Sequence, residues 1–293
     1  MNEQNHDYLQ NQVKYLGFGE ELKDILTSQL KKGDLDKFSL QFPVQKENHN
    51  AVYSLNFAKS KTNDMYFFNS YKLDLTNSKD QTLSNTFQVN GFKGVTAKEA
   101  INLLEGRPVK AVVEFKSKEG EDKNEKEVFI QLDTEKMPKD ITAETKLPFK
   151  YFSKEYGIDT AKILEKSPLK LPNENYRDDA IKSLEKGNFV KANFTYNNEK
   201  VEGLITLNAQ YKSLNYFDGE GKNLNSKYIT AESIERGEQI EKADFKQIKD
   251  PDANGLYNKD GNEFTEQFID DIEAGIGEIN QKEDNAKSAG LKR

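Results

Sequence analysis

The segment LLEGRPVKAVVEF, residues 103–115, holds the pattern from which the architecture can be read, because it recurs as SQLKKGDLDKFSLQF at 28–42 and KSLEKGNFVKANFTY at 182–196. Aligned on Gly33, Gly106 and Gly187, the upstream side has a helical period. Leu30, Leu103 and Leu184 stand three residues before the glycine, with Leu22, Ile25, Leu26, Ala100 and Ile181 one or two turns further back. Downstream the period is two. Phe38, Leu40 and Phe42 match Ala111, Val113 and Phe115, and match Ala192, Phe194 and Tyr196, so one face of a strand is expected to be buried. A helix that stops and feeds a strand needs a left-handed residue just past its end, where a Cβ would clash, and glycine fits that place. Thr96 precedes Glu99 by three and predicts a capping box at the start of the second helix.

Beyond each first strand lies a polar loop and a second strand, VYSLN at 52–56, VFIQLD at 128–133 and LITLN at 204–208. Third strands are expected at DMYFF (64–68), LPFKYF (147–152) and KSLNYF (212–217). The predicted class is α+β, three copies of a helix followed by an antiparallel β-meander, plus a C-terminal amphipathic helix. The expected organisation is a first unit over 1–77, paired second and third units over 87–227, and an acidic segment over 228–293 with one amphipathic helix and a mobile tail. An extra helix is expected over 154–169, ended by Ser167 and Pro168, and the aperiodic stretches 77–86 and 218–226 are read as linkers. In the C-terminal segment, Phe264, Phe268, Ile272, Ile276 and Ile279 share one helical face.

Composition narrows the function classes. The 293 residues carry a formal net charge of −7, and from Ala231 onward 16 Asp and Glu face 9 Lys and Arg, so residues 1–230 carry 34 of each sign. No global drive toward nucleic acid follows, although a local basic face is compatible with this balance. Zero cysteines exclude disulfides and thiol chemistry. With no basic cap before an apolar run and no long apolar stretch, neither a signal peptide nor a spanning helix is expected, and the predicted location is cytoplasmic. Two histidines, His6 in a polar leader and His49 in a loop, are read as surface residues and give little material for a metal cage or a Ser-His-Asp relay. No phosphate-binding glycine loop is spelled out, and no carboxylate pair is marked out for acid-base work. No catalytic residue and no cofactor are therefore assigned.

Three binding features stand out. Lys37, Lys110 and Lys191 each lie four past the glycine, where strand alternation turns them outward. A cation there favours the helix C-terminus by roughly 0.3–1 kcal/mol, or it contacts phosphate or an acidic partner. Arg107, one of only four arginines, joins them as a candidate partner or nucleic-acid contact. Asp250, Asp252 and Asn254, followed by Gly255, form the first half of an EF-hand-type calcium loop, but Gly261 stands where the bidentate Glu belongs.

The run from SQLKKGDLDKF to KLDL at 72–75, then NGFKGVTAKEAINLLEGRPVKAVV, resembles an uncharacterised domain family of Bacteroidota, and KYFSKEYGIDTAKILEKSPL with KSLEKGNFVKANFTY is similar to its second module. The resemblance covers about residues 11–217. It implies carriage on mobile and conjugative elements, sometimes beside topoisomerase-like proteins, and lends no catalytic residue. The expected function is a non-enzymatic binding or accessory module with a protein partner, serving DNA handling by a mobile element. Direct nucleic-acid binding through the lysines is the alternative, and an enzyme of unknown chemistry a third.

Overall fold

The computed structural model describes residues 2–230, apart from 34, 47–48, 78, 90–93, 116–123, 143–144 and 172. The class is α+β with antiparallel sheets. The chain forms two compact units. Of the described residues, the first takes those up to Ile101 with Pro138–Leu147, and the second takes Asn102–Met137 and those from Pro148.

The first unit opens with α1 (Glu3–Val13), a π-helical turn (Lys14–Phe18) and α2 (Lys23–Lys32). The stretch expected as a polar leader is thus helical. Its apolar content is just enough for one buried stripe, Leu9, Val13 and Leu16, at helical spacing. Gly17 (φ 89°) ends this run in a left-handed conformation. A four-stranded meander follows, β1 (Lys37–Lys46), β2 (His49–Lys59), β3 (Tyr66–Asn77) and β4 (Thr82–Gln88), in the order β1-β2-β3-β4. Register places Phe38 beside Phe57 and Phe42 beside Tyr53, and a bulge at Asn56/Phe57 keeps Phe68 in line with them. Phe57 stacks at 4.8 Å on both Phe38 and Phe68. Phe18, fully buried, meets Tyr53 and Tyr71 edge-on at 5.3 and 5.2 Å. Each such ring stabilises the unit by roughly 1.5–3 kcal/mol relative to exposure.

β4 occupies the second half of the stretch read as a linker. It is an edge strand whose first half, the part read as a linker, is tied by polar contacts, with Thr82 Oγ1 2.8 Å from Thr76 Oγ1 and Ser84 donating to Asp74, while Phe87 beyond it is buried and stacks on Tyr71 at 5.3 Å. The side chain of buried Asn5 acts as a strand partner for Tyr66, donating to its carbonyl at 2.9 Å and accepting from its N–H at 2.8 Å. Tyr53 and Tyr71, both fully buried, donate to the carbonyls of Ala97 and Val95 and so fix the start of α3 (Ala97–Leu104). The expected capping box is present there, Thr96 N donating to Glu99 Oε2 at 2.9 Å.

The second unit holds β5 (Val109–Phe115), β6 (Asn124–Leu132) and β7 (Phe149–Phe152), an antiparallel sheet in that order. It continues with α4 (Thr160–Lys166), α5 (Glu174–Glu185), β8 (Val190–Tyr196), β9 (Glu199–Asn208), β10 (Ser213–Phe217), β11 (Asn223–Leu224) and β12 (Ile229–Thr230). The second sheet runs β11-β10-β9-β8-β12. α4 is shorter than the expected helix over 154–169, because Gly157 (φ 76°) closes a 3-10 turn and Asp159 then caps a fresh start, accepting from Lys162 N at 3.0 Å. The stretch 218–226, read as a linker, contains the short β11. α5 buries Tyr176, Ala180 and Leu184 in a core with Val190, Phe194, Ile205, Leu207 and Leu214. No helix among the described residues is long and apolar enough to cross a membrane.

Candidate functional site

All three alignment glycines take left-handed φ, 67°, 84° and 76° at Gly33, Gly106 and Gly187. The hydrogen bonding around them differs. Arg107 N reaches Asn102 O and Gly106 N reaches Leu103 O; Asn188 N reaches Ser183 O and Gly187 N reaches Leu184 O in the same way, the paired bonds of a Schellman cap. At Gly33 the N–H reaches four residues back, to Gln29 O at 3.5 Å, rather than three. Gly187 has a second constraint, since a Cβ there would lie 2.9 Å from Pro108 O and 3.0 Å from Asn102 Cβ.

That close approach brings the ends of α3 and α5 together. Asn102 Nδ2 donates to Lys186 O at 2.8 Å and to Asn188 Oδ1 at 2.9 Å. Arg107 Nε donates to Gly187 O at 2.6 Å, and its Nη2 donates to Asn102 Oδ1 and to Glu105. The guanidinium lies 4.7 Å from the centre of the Phe189 ring. Two helix C-termini carry partial negative charge, and a cation between them is favourable. Arg107, expected as a partner contact, is therefore engaged inside its own unit. In the first unit the cation at the helix end is Lys59, whose Nζ donates to Gly33 O at 3.0 Å and pairs with Asp64 at 3.3 Å.

The three lysines separate into two environments. Lys37 and Lys191 are exposed and turned outward as alternation requires. Lys110 is half-buried between Glu127, at 3.1 Å, and Glu185, at 3.4 Å. Burial works against its charge, but the two carboxylates outweigh burial and hold its ammonium above the usual range. Lys37 belongs to the first unit and the other two to the second.

The outward face around Lys191 is not polar throughout. Cross-strand register sets Lys191 beside Leu204, and Leu204 beside Phe217. Phe189, two residues before Lys191, is 41% exposed and meets Phe217 edge-on at 5.2 Å. This cluster escaped the sequence reading because Phe189 precedes β8, where alternation gives no instruction. Its signal was Leu204 and Phe217, apolar residues at outward strand positions.

His6 is not a surface residue as expected. Its side chain is 14% exposed, with Nε2 2.7 Å from Thr27 Oγ1 and 2.9 Å from Gln10 Nε2. His49 opens β2 and is half-buried. Among the described residues no group of three or more His, Asp or Glu could hold a metal ion. The calcium candidates Asp250, Asp252 and Asn254, and the helix expected over 263–279, lie outside the described residues. Two clefts of the first unit, about 190 and 120 Å³, are smaller than the ~300 Å³ at which drug-sized ligand sites begin. No protein-family model, curated protein or solved structure matches the chain.

Proposed function

We propose that the chain is a non-enzymatic binding or accessory module assembled from three helix–meander units, acting in the cytoplasm on a protein partner. The observation that carries this reading is the outward sheet face of the second unit, where Phe189, Leu204 and Phe217 adjoin the cation Lys191. A solvated antiparallel face is polar at such positions, and an apolar centre with a charged rim is the composition of a recognition surface. The triplication is supported by the shared helix, left-handed glycine and antiparallel strands at the three junctions. An amphipathic helix over 263–279 belongs to the same reading on the spacing of its apolar residues. Service to DNA handling by a mobile element rests on the Bacteroidota resemblance.

The test is capture from native lysate with the full chain against a Phe189→Ser, Lys191→Glu variant. Reproducible partners lost in the variant support the reading, and an identical capture profile for the two proteins refutes this face. The second reading, a lysine contact to nucleic acid, draws on the exposure of Lys37 and Lys191. There the slope of log affinity against log salt falls when Lys37 and Lys191 are replaced and changes little for Lys110, already paired with two carboxylates. An unchanged slope in the triple variant removes the lysines from that role.

A further inference from the structure

The turn between β9 and β10 is held at several points. Asn208 Oδ1 accepts from Tyr211 N at 3.1 Å, while Asn208 Nδ2 donates to Asn215 Oδ1 at 2.9 Å. Tyr156 OH donates to Gln210 O at 2.6 Å, and Lys150 Nζ donates to Gln210 Oε1 at 3.1 Å. Lys212 is left-handed at φ 50°, a conformation that a β-carbon disfavours, and its Nζ lies 4.4 Å from the centre of the Tyr156 ring. The ring in turn rests 4.9 Å from Phe152. What this bracing presents is Tyr211, 71% exposed, beside the partly exposed Tyr156. A left-handed residue that closes a short hairpin loop is ordinary turn geometry, and the hydrogen bonds around it hold Tyr211 outward at the tip.

The chemistry of the tip selects a partner. The large apolar groups it exposes are aromatic rings, and they alternate with lysine, a residue depleted from protein–protein interface cores. Lys212 and the nearby exposed Lys154 make no ion pair with a carboxylate among the described residues, in contrast to Lys150, which lies 3.1 Å from Asp133 and 3.2 Å from Glu135. The acid of the neighbouring turn, Glu155, is held below the usual carboxylate range chiefly by Ser153, with Lys126 and Lys154 contributing. An exposed ring face beside an ammonium group that has no carboxylate partner among the described residues, as Tyr211 is beside Lys212, suits a stacked base and its phosphate. We infer that the Tyr156–Tyr211–Lys212 tip is a contact point for single-stranded nucleic acid, a base stacking on Tyr211 and a phosphate meeting Lys212. This assignment goes beyond the sheet-face reading and does not depend on it.

The experiment titrates a fluorescein-labelled oligothymidylate with the full chain by anisotropy over a salt series, with a duplex of the same length as comparison. The single strand is expected to bind more tightly than the duplex. Tyr211→Ala is expected to weaken binding about 5- to 150-fold, the range that stacking of one base supplies. Lys212→Gly, which relaxes the backbone while removing one cation, is expected to reduce the salt slope by about 0.7. Tyr228→Ala, an exposed tyrosine outside the turn, is the control and should leave affinity unchanged. Absence of binding at low salt, equal binding of duplex, or affinity indifferent to Tyr211→Ala overturns the inference. So does a captured protein whose recovery depends on Tyr211 while the oligonucleotide does not bind.

Discussion

Replacing Arg107 by Ala separates the two roles this residue can have. The guanidinium donates to Gly187 O at 2.6 Å and to Asn102 Oδ1, and stacks 4.7 Å from Phe189. Hydrogen bonds from a charged group contribute about 1.5–3 kcal/mol each. The contact with Phe189 adds about 0.5–1 kcal/mol, and the ion pair with Glu105 about 0–1 kcal/mol. These do not add fully, because the side chain is 15% exposed and water can reach the vacated carbonyl. A net loss of about 2–4 kcal/mol follows, equivalent to a Tm drop of about 5–15 °C for a unit of this size. Arg107→Lys keeps a charge near the helix ends, worth roughly 0.3–1 kcal/mol, but not the fork, and should recover less than half of the loss. The measurement is thermal unfolding by circular dichroism, with amide exchange at Gly187 and Asn188 reporting whether opening begins at the junction. An Arg107→Ala protein within about 0.5 kcal/mol of the parent, the scale of an ordinary surface change, would refute the clamp and return Arg107 to the partner contacts.

Asn5→Ala removes both partners of the Tyr66 backbone; each buried group left unsatisfied costs about 1–3 kcal/mol, so a loss of about 2–4 kcal/mol is expected in the urea midpoint of the first unit. Burial raises the Glu21 carboxyl above its ordinary 4.5, and its Oε2 has no hydrogen-bond partner among the described residues. Protonation therefore favours the folded form, the penalty is complete above the raised folded value, and it is relieved as pH falls toward 4.5. Glu21→Gln should raise Tm at neutral pH, with the gain shrinking on acidification; a gain constant with pH would contradict this. At Asp133 burial opposes ionisation, but Lys150 at 3.1 Å and Lys136 at 3.6 Å outweigh it and hold the carboxyl below its ordinary 3.8. Its contribution is complete above 3.8 and is lost as pH falls through the lower folded value. Asp133→Asn should be less stable at neutral pH and converge with the parent in strong acid, as followed by urea unfolding across that range.

Most strands were legible in the sequence because their inward residues alternate: Phe38, Leu40 and Phe42 on β1, and Ala192 and Phe194 on β8, are all buried. The helix ends were legible because a glycine at the end of an apolar periodic run has few other uses. Two features escaped for one reason. α1 carries a thin apolar stripe and buries Asn5 and Gln12 along with it, while the first half of β4, an edge strand, is tied by hydroxyls. Where side-chain hydrogen bonds replace apolar burial, composition reads as loop although the backbone is paired. The division of the chain inside α3, between Ile101 and Asn102, was likewise invisible, since the helix pattern runs through it without a break.

The candidate site was harder to read because spacing locates a residue and says nothing about what already occupies it. Lys37, Lys110 and Lys191 are equivalent in the alignment, yet Lys110 alone lies between two carboxylates contributed by β6 and α5. Its sequence neighbours could not reveal Glu185, which stands 75 positions away. The same holds for the cation at the helix end. In the first unit that place is taken by Lys59, from β2, and in the second by Arg107, one residue past the glycine. The electrostatic requirement of a helix C-terminus is therefore met at both places by residues outside the aligned lysine position. Exposed Lys37 and Lys191 are not needed for that purpose, and the second of them adjoins Leu204 on the face that also bears Phe189 and Phe217.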